Sequence, residues 1–181
     1  MVYNPIYILE GPDGSGKTTL AEKLCSYHKI EKMHLTYYSD KEKHQEQFRT
    51  VERKLDEFIN GTAKTGICFD RFIFSTKVYG DVFNNDSSID NYETIMTKLE
   101  CLDRLHKGTV QIIFTLPKPK SLYIENFNRV KFLREELYTD TDLMSKVYDG
   151  FDDIYHQLVN KNIIRNIRTY DYAHDNLTDI V

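Results

Sequence analysis

The sequence predicts an α/β fold: a five-stranded parallel sheet with helices on both faces. Three observations predict it. Short strand-like segments alternate with helix-like ones along the chain, the pattern of a parallel sheet wrapped by crossover helices. A glycine-rich loop, Gly11 to Thr18, stands between the first strand-like segment and the first helix-like one. Further glycines, Gly61, Gly66, Gly80 and Gly108, fall at the expected joins. With 181 residues the chain can bury a full core, so residues 1–181 are expected to form a single domain.

Taken in order, Tyr3 to Leu9 is short, aromatic and β-branched, and predicts a strand centred on Ile6–Leu9. Lys17–His28 carries Leu20, Ala21, Leu24 and Cys25 at helical spacing. Lys32–Thr36 and Gly66–Phe69 predict the second and third strands, separated by a helix over Lys41–Asn60. Two helices, Phe72–Asp81 and Asn91–Lys107, lead to a fourth strand at Val110–Leu116. Two more, Lys118–Asn128 and Thr141–Asn160, lead to the last strand at Ile167–Tyr172. The segments show no internal repeat, linker or low-complexity stretch.

Composition excludes several function classes. The net charge of −4 and the isoelectric point near 5.9 argue against a general nucleic-acid binder, and no basic arm is present. No apolar run approaches the ~20 residues of a membrane span, so no membrane partner is expected. The first residues lack a basic stretch followed by an apolar one, so no secretory leader is expected. Cys25, Cys68 and Cys101 are odd in number and lack metal-ligand spacing. Cys25 and Cys68 are expected to be small buried hydrophobes of a protein in the reducing cytoplasm.

Residues 11–18, Gly11-Pro12-Asp13-Gly14-Ser15-Gly16-Lys17-Thr18, fit the phosphate-binding pattern G-x-x-x-x-G-K-[ST] at every position. The chemistry accounts for each required residue. Glycines let backbone N–H groups curl around an anion, and the following helix aims the positive end of its dipole at the same spot. Lys17 supplies a charge for the β- and γ-phosphates, and Thr18 offers a hydroxyl to Mg²⁺. The cradle extends through Thr19. ATP and Mg²⁺ are therefore the expected cofactors, with Gly11, Asp13, Gly14, Ser15, Gly16, Lys17, Thr18 and Thr19 around them.

Two other clusters carry chemistry. Asp70-Arg71 closes the apolar run Gly66–Phe69. Ligands on such sheets bind beyond the strand C-termini. An acid there can reach Mg²⁺ through water, and an arginine can grip a second phosphate with its planar fork. The plainer alternative is an ion pair capping the next helix. The segment from Asn128 to Glu136 places Arg129, Lys131 and Arg134 between two helices. Mobile arginines there can close over a transferred phosphoryl group and exclude water. The alternative is a solvated helix face neutralised by Glu135 and Glu136.

With these three clusters in view, the chain resembles the thymidylate kinase family of nucleoside monophosphate kinases. The most specific piece is Leu9-Glu10-Gly11-Pro12-Asp13-Gly14-Ser15-Gly16-Lys17-Thr18-Thr19, followed by Asp70-Arg71-Phe72 with Ser75 and Tyr79 beyond. The resemblance implies a three-layer P-loop kinase fold. It implies an acceptor region over residues 34–60 and 70–83, a lid over 128–140, and a homodimer. By the same resemblance Asp13 approaches the acceptor sugar, Arg71 grips the acceptor phosphate, and Ser75 and Tyr79 face the acceptor base. Lys17, Arg71, Arg129, Arg134 and Asp13 form the catalytic set, and Thr18 and Asp70 the metal side.

One departure stands out. The family's arginine-proline pair after the second strand is absent, and the segment reads Thr36-Tyr37-Tyr38-Ser39-Asp40-Lys41. Tyr37, Lys41, Lys43 and Arg49 are the candidates for its place. The Phe72–Phe83 stretch resembles divergent kinases of large DNA viruses, which implies a virus-encoded protein of the host cytoplasm. The expected reaction is ATP-dependent transfer to a deoxypyrimidine nucleoside monophosphate. A modified pyrimidine nucleotide, or a hydroxymethylated base in DNA, is an alternative acceptor. A nucleotide-binding ATPase or switch is the non-kinase alternative.

Overall fold

The computed structural model describes residues 4–36, 38, 40–86, 88–131, 140–176 and 180. Strands β1 (Ile6–Glu10), β2 (Glu31–His34), β3 (Ile67–Asp70), β4 (Val110–Thr115) and β5 (Asn166–Tyr170) form one sheet in the order β2-β3-β1-β4-β5. Every neighbouring pair is parallel. The helices are α1 (Lys17–His28), α2 (Lys41–Ile59), α3 (Ile73–Phe83), α4 (Tyr92–Leu105), α5 (Lys120–Lys131) and α6 (Thr141–Lys161).

β1 lies at the centre, and all five of its residues are buried. Because side chains alternate across a strand, Ile6 and Ile8 enter one core and Tyr7 and Leu9 the other. The larger core takes Phe48, Val51 and Leu55 of α2, Ile95 and Leu99 of α4, Tyr123 of α5, and Met144, Val147 and Phe151 of α6. The smaller one takes Leu20, Ala21 and Leu24 of α1, with Tyr170 and Ile180. Helices therefore cover both faces, as expected, but unevenly. β1 sits where the order turns, with β3 on one side and β4 on the other, so the crevice beyond its C-terminal end is the natural ligand position.

Helix starts divide by chemistry. Asp40 caps α2 by accepting from the backbone N–H groups of Glu42 and Lys43, at 3.0 and 3.2 Å. Asp140 does the same for α6. α1 starts after Gly16 with no side-chain cap and no acid in its first turn, which leaves its positive end to a ligand.

The expected elements are all present, with shifted ends. β1 includes Glu10 and β3 includes Asp70, so both acids stand on strands rather than after them. Gly80, expected at a join, lies inside α3; Asn84, in the left-handed conformation, ends that helix by donating to the Gly80 carbonyl. α5 runs on to Lys131, so Asn128 and Arg129 belong to its last turn rather than to a connecting segment. β5 stops at Tyr170 because Asp171 turns the chain, accepting from the N–H of Ala173 at 3.0 Å. Cys68 is fully buried as expected, whereas Cys25 is only partly buried. Among the described residues, no helix is long and apolar enough to cross a membrane.

Candidate active site

The phosphate loop is moulded against β4. Gly11 has φ 140°, and a Cβ there would lie 2.6 Å from both the carbonyl and the hydroxyl oxygen of Thr115. Thr115 donates to the Glu10 carbonyl at 3.1 Å and shares a 2.5 Å hydrogen bond with the buried Ser15 hydroxyl. Gly16, at φ 87°, lies beneath the Tyr172 ring, which a Cβ would approach to 3.2 Å. Lys17 folds back over the loop, its ammonium donating to the carbonyls of Gly11 and Pro12 at 2.6 and 2.7 Å. Burial pulls its pKa down to about 8, against the pull of Asp13.

Asp13 is fixed on both sides of its backbone. Its N–H donates to the Tyr79 hydroxyl at 3.0 Å, and its carbonyl accepts from the Tyr123 hydroxyl at 3.0 Å. Two helices, α3 and α5, thus hold one loop residue. The Asp13 carboxylate pairs with the Arg71 guanidinium, which also stands 5.7 Å from the centre of the Tyr79 ring. Burial works against the Arg71 charge, but Asp13 outweighs it and the guanidinium pKa rises.

Glu10 holds the turn from which Arg71 projects. Arg71 has φ 76°, an uncommon conformation for a residue with a side chain. The next residue, Phe72, donates its N–H to Glu10 at 2.9 Å, and Ser75 donates both its N–H, at 3.0 Å, and its hydroxyl. This carboxylate therefore caps α3 from the neighbouring strand. Burial raises its pKa to about 7 despite those donors.

Asp70 closes the floor. Its Oδ2 accepts from the Thr18 hydroxyl at 3.1 Å and lies 3.1 Å from Nδ1 of His34. Its Oδ1 is buried without a hydrogen-bond partner. No group of three or more His, Cys, Asp or Glu able to hold a metal occurs among the described residues. A sparse pair such as Thr18 and Asp70 nonetheless fits Mg²⁺, which keeps most of its waters and shares its remaining positions with substrate phosphates. The unpartnered Oδ1 is the observation that supports this fit.

Of the residues expected from sequence, Gly11 to Thr19, Asp70, Arg71 and Tyr79 lie together at this end of the sheet. Ser75 is placed differently from the expectation that it faces an acceptor base: it is buried and its hydroxyl is engaged by Glu10. Arg129 is exposed on the last turn of α5. Tyr37 and Arg134 lie outside the described residues, and Lys41 and Arg49 pair with Asp86 and Glu46 on the surface.

Sequence reasoning missed the roles of Glu10, His34, Thr115, Tyr123 and Tyr172. Glu10 did leave a signal, an acid ending the otherwise apolar Ile6-Tyr7-Ile8-Leu9. His34 and Tyr172 stand near strand ends, where ligands bind on such sheets, but spacing exposes none of these partners because they are distant in sequence. Tyr172, for example, accepts from the Asn126 side chain and so ties the loop after β5 to α5.

No family model matches the chain. It is 28% identical over 136 residues to the "Putative thymidylate kinase" of Acidianus bottle-shaped virus, an alignment covering 74% of this chain and 83% of that protein. Among solved structures it is similar to the YorR protein of Bacillus subtilis in complex with phosphorylated GDP, with a TM-score of 0.61 at 19% identity over 97% of this chain and 90% of the other. The thymidylate kinase of Candida albicans gives a TM-score of 0.56 at 16% identity, covering 98% and 89%. The deoxyadenosine kinase of M. mycoides with bound dCTP gives 0.52 at 18%, covering 97% and 94%. The structural matches establish the three-layer P-loop kinase fold.

Proposed function

We propose that this divergent, thymidylate kinase-like chain is a phosphotransferase that moves the γ-phosphoryl group of ATP onto a deoxypyrimidine nucleoside monophosphate. One observation carries it. Lys17 and Arg71, cations suited to two different phosphates, converge on the same carboxylate oxygen of Asp13 at the C-terminal end of the sheet.

An acceptor phosphate is already a nucleophile at neutral pH, so the protein's task is positioning and charge stabilisation. Lys17 exchanges its two carbonyl partners for the donor's β- and γ-oxygens. Its burial strengthens that attraction, since little water screens it. Arg71 exchanges Asp13 for the acceptor phosphate. The released Asp13 carboxylate then accepts a hydrogen bond from the acceptor sugar. Tyr79 and Tyr123 keep the Asp13 backbone in place while its side chain changes partner. Mg²⁺, when bound, offsets charge on the transferring phosphates, and Thr18 and Asp70 are the residues that would hold it. Arg129 and Arg134, at and beyond the end of α5, are assigned to closing over the transferred group. Glu10 is not assigned as a base, because its carboxylate is committed to three donors of Phe72 and Ser75.

The test is ADP formation from ATP and Mg²⁺ with a panel of acceptors. The panel includes thymidine and deoxyuridine monophosphates, hydroxymethylated pyrimidine monophosphates, purine monophosphates and single-stranded DNA. ADP formation that requires a pyrimidine monophosphate is expected. Equal ADP formation with and without any acceptor overturns the proposal in favour of an ATPase.

A further inference from the structure

The geometry points to His34 as a positioning residue for the cation: it fixes the Asp70 carboxylate against the Thr18 hydroxyl, on the metal side of the phosphate loop. The inference rests on the assignment of Thr18 and Asp70 to Mg²⁺. Asp70 is 1% exposed, and one of its oxygens does all the visible bonding. Oδ2 receives the Thr18 hydroxyl and faces Nδ1 of His34, each at 3.1 Å, while Oδ1 has no partner. A buried carboxylate oxygen without a donor is costly, so its retention calls for a ligand.

The arrangement has a definite logic. An ionised carboxylate only accepts hydrogen bonds, so Nδ1 must carry the hydrogen it shares with Asp70. Thr18 also spends its hydrogen on Oδ2, which leaves the lone pairs of the Thr18 oxygen for a cation. Two donors on one oxygen fix the rotation of the carboxylate plane beside Thr18. Thr18 comes from α1 and His34 from the end of β2, so the carboxylate is held from two elements. β2 pairs with β3 in register His34 to Asp70, so strand pairing itself sets their separation. His34 is itself half-exposed, at 46%, and this edge-strand position imposes no need for imidazole as packing.

Residues that orient a metal-binding carboxylate commonly change metal affinity by about 10- to 100-fold when removed. Because Asp70 would reach the cation through water, the lower end is expected. The experiment follows Mn²⁺, a paramagnetic stand-in for Mg²⁺, by electron paramagnetic resonance in the presence of a non-hydrolysable ATP analogue. His34→Ala is expected to weaken Mn²⁺ binding about tenfold. Metal-free affinity for a fluorescent ATP analogue is expected to stay unchanged. His34→Asn, whose amide N–H can stand where Nδ1–H stands, is expected to return binding to within about threefold of the unsubstituted chain. His34→Phe keeps a ring but no donor, and is expected to match His34→Ala, which separates hydrogen bonding from packing.

Mn²⁺ binding by His34→Ala and His34→Phe at the unsubstituted level overturns this inference alone. So does failure of His34→Asn to recover binding when its melting temperature is unchanged. If the unsubstituted chain binds no Mn²⁺ with the nucleotide, the proposed function falls, and this inference with it.

Discussion

The cations at the C-terminal end of the sheet and those on α2 are chemically alike and physically opposite. The Lys17 side chain is 5% exposed and answers to two carbonyls and Asp13, whereas Arg53 on α2 is 69% exposed and meets Glu46 and Thr50. A buried charge acts on its neighbours through a medium that screens little, while an exposed one acts through water and salt. Charge density therefore does not locate function in this chain. Residues 41–57 of α2 hold five cations and five acids, yet the proposed chemistry rests on Lys17 and Arg71, which nothing in composition distinguishes.

Removal of Lys17 is expected to have the largest effect. Lys17→Ala is expected to lower the rate of phosphoryl transfer by roughly 100-fold or more, as loss of a preorganised partner for transition-state charge does. The same lysine gives a second readout. Its pKa is near 8 in the free protein, and bound phosphates favour its charged form, so ATP binding between about pH 8 and 9 should take up protons. Calorimetry in two buffers of different ionisation enthalpy measures that uptake. Lys17→Ala should abolish it, and uptake that persists in the variant would assign the effect to another group.

Glu10 is next. Its pKa rises from an ordinary 4.5 to about 7, so the native state holds the proton more tightly than the unfolded chain does. Stability should therefore be greatest below about 4.5 as far as this group is concerned, and fall as pH rises toward 7. The whole change is on the order of 3 kcal/mol, from 1.36 kcal/mol per unit. Urea unfolding across that window, with Glu10→Gln as the control, checks the sign. The glutamine variant should lose most of the slope, and an unchanged slope would mean that other carboxylates set it.

Much of this was legible in sequence, and the limit is physical. The phosphate loop is contiguous, so spacing alone exposes it, and strand-helix alternation exposes the parallel sheet. What spacing cannot expose is contact between distant segments. Asp13 and Arg71 each stand out in the sequence, but their pairing depends on β1 and β3 lying side by side. Glu10 and Ser75 are 65 residues apart, and Tyr123 reaches Asp13 from 110 residues away. The family resemblance turns Ser75 toward the acceptor base, together with Tyr79. The burial of Glu10 decides otherwise, since a buried carboxylate needs donors and Ser75 supplies two.

Substitutions on the α2 side are expected to cost least. Asp40 and Arg53 are both charged residues of that region, but only Asp40 satisfies backbone groups. It accepts from two N–H groups that the helix itself leaves unpartnered. Asp40→Ala should therefore cost about 1 kcal/mol of stability. Arg53→Ala removes a surface ion pair at 3.7 Å that water and salt screen, and should cost less than about 0.5 kcal/mol. Denaturant titrations of both variants at 0.1 and 1 M salt separate the two causes. The Asp40 effect should survive high salt in large part, because a hydrogen bond to the backbone carries it, whereas the Arg53 effect should vanish. Equal costs at both salt concentrations would mean that the α2 cations are held as firmly as those of the site, and the contrast between the two regions would fail.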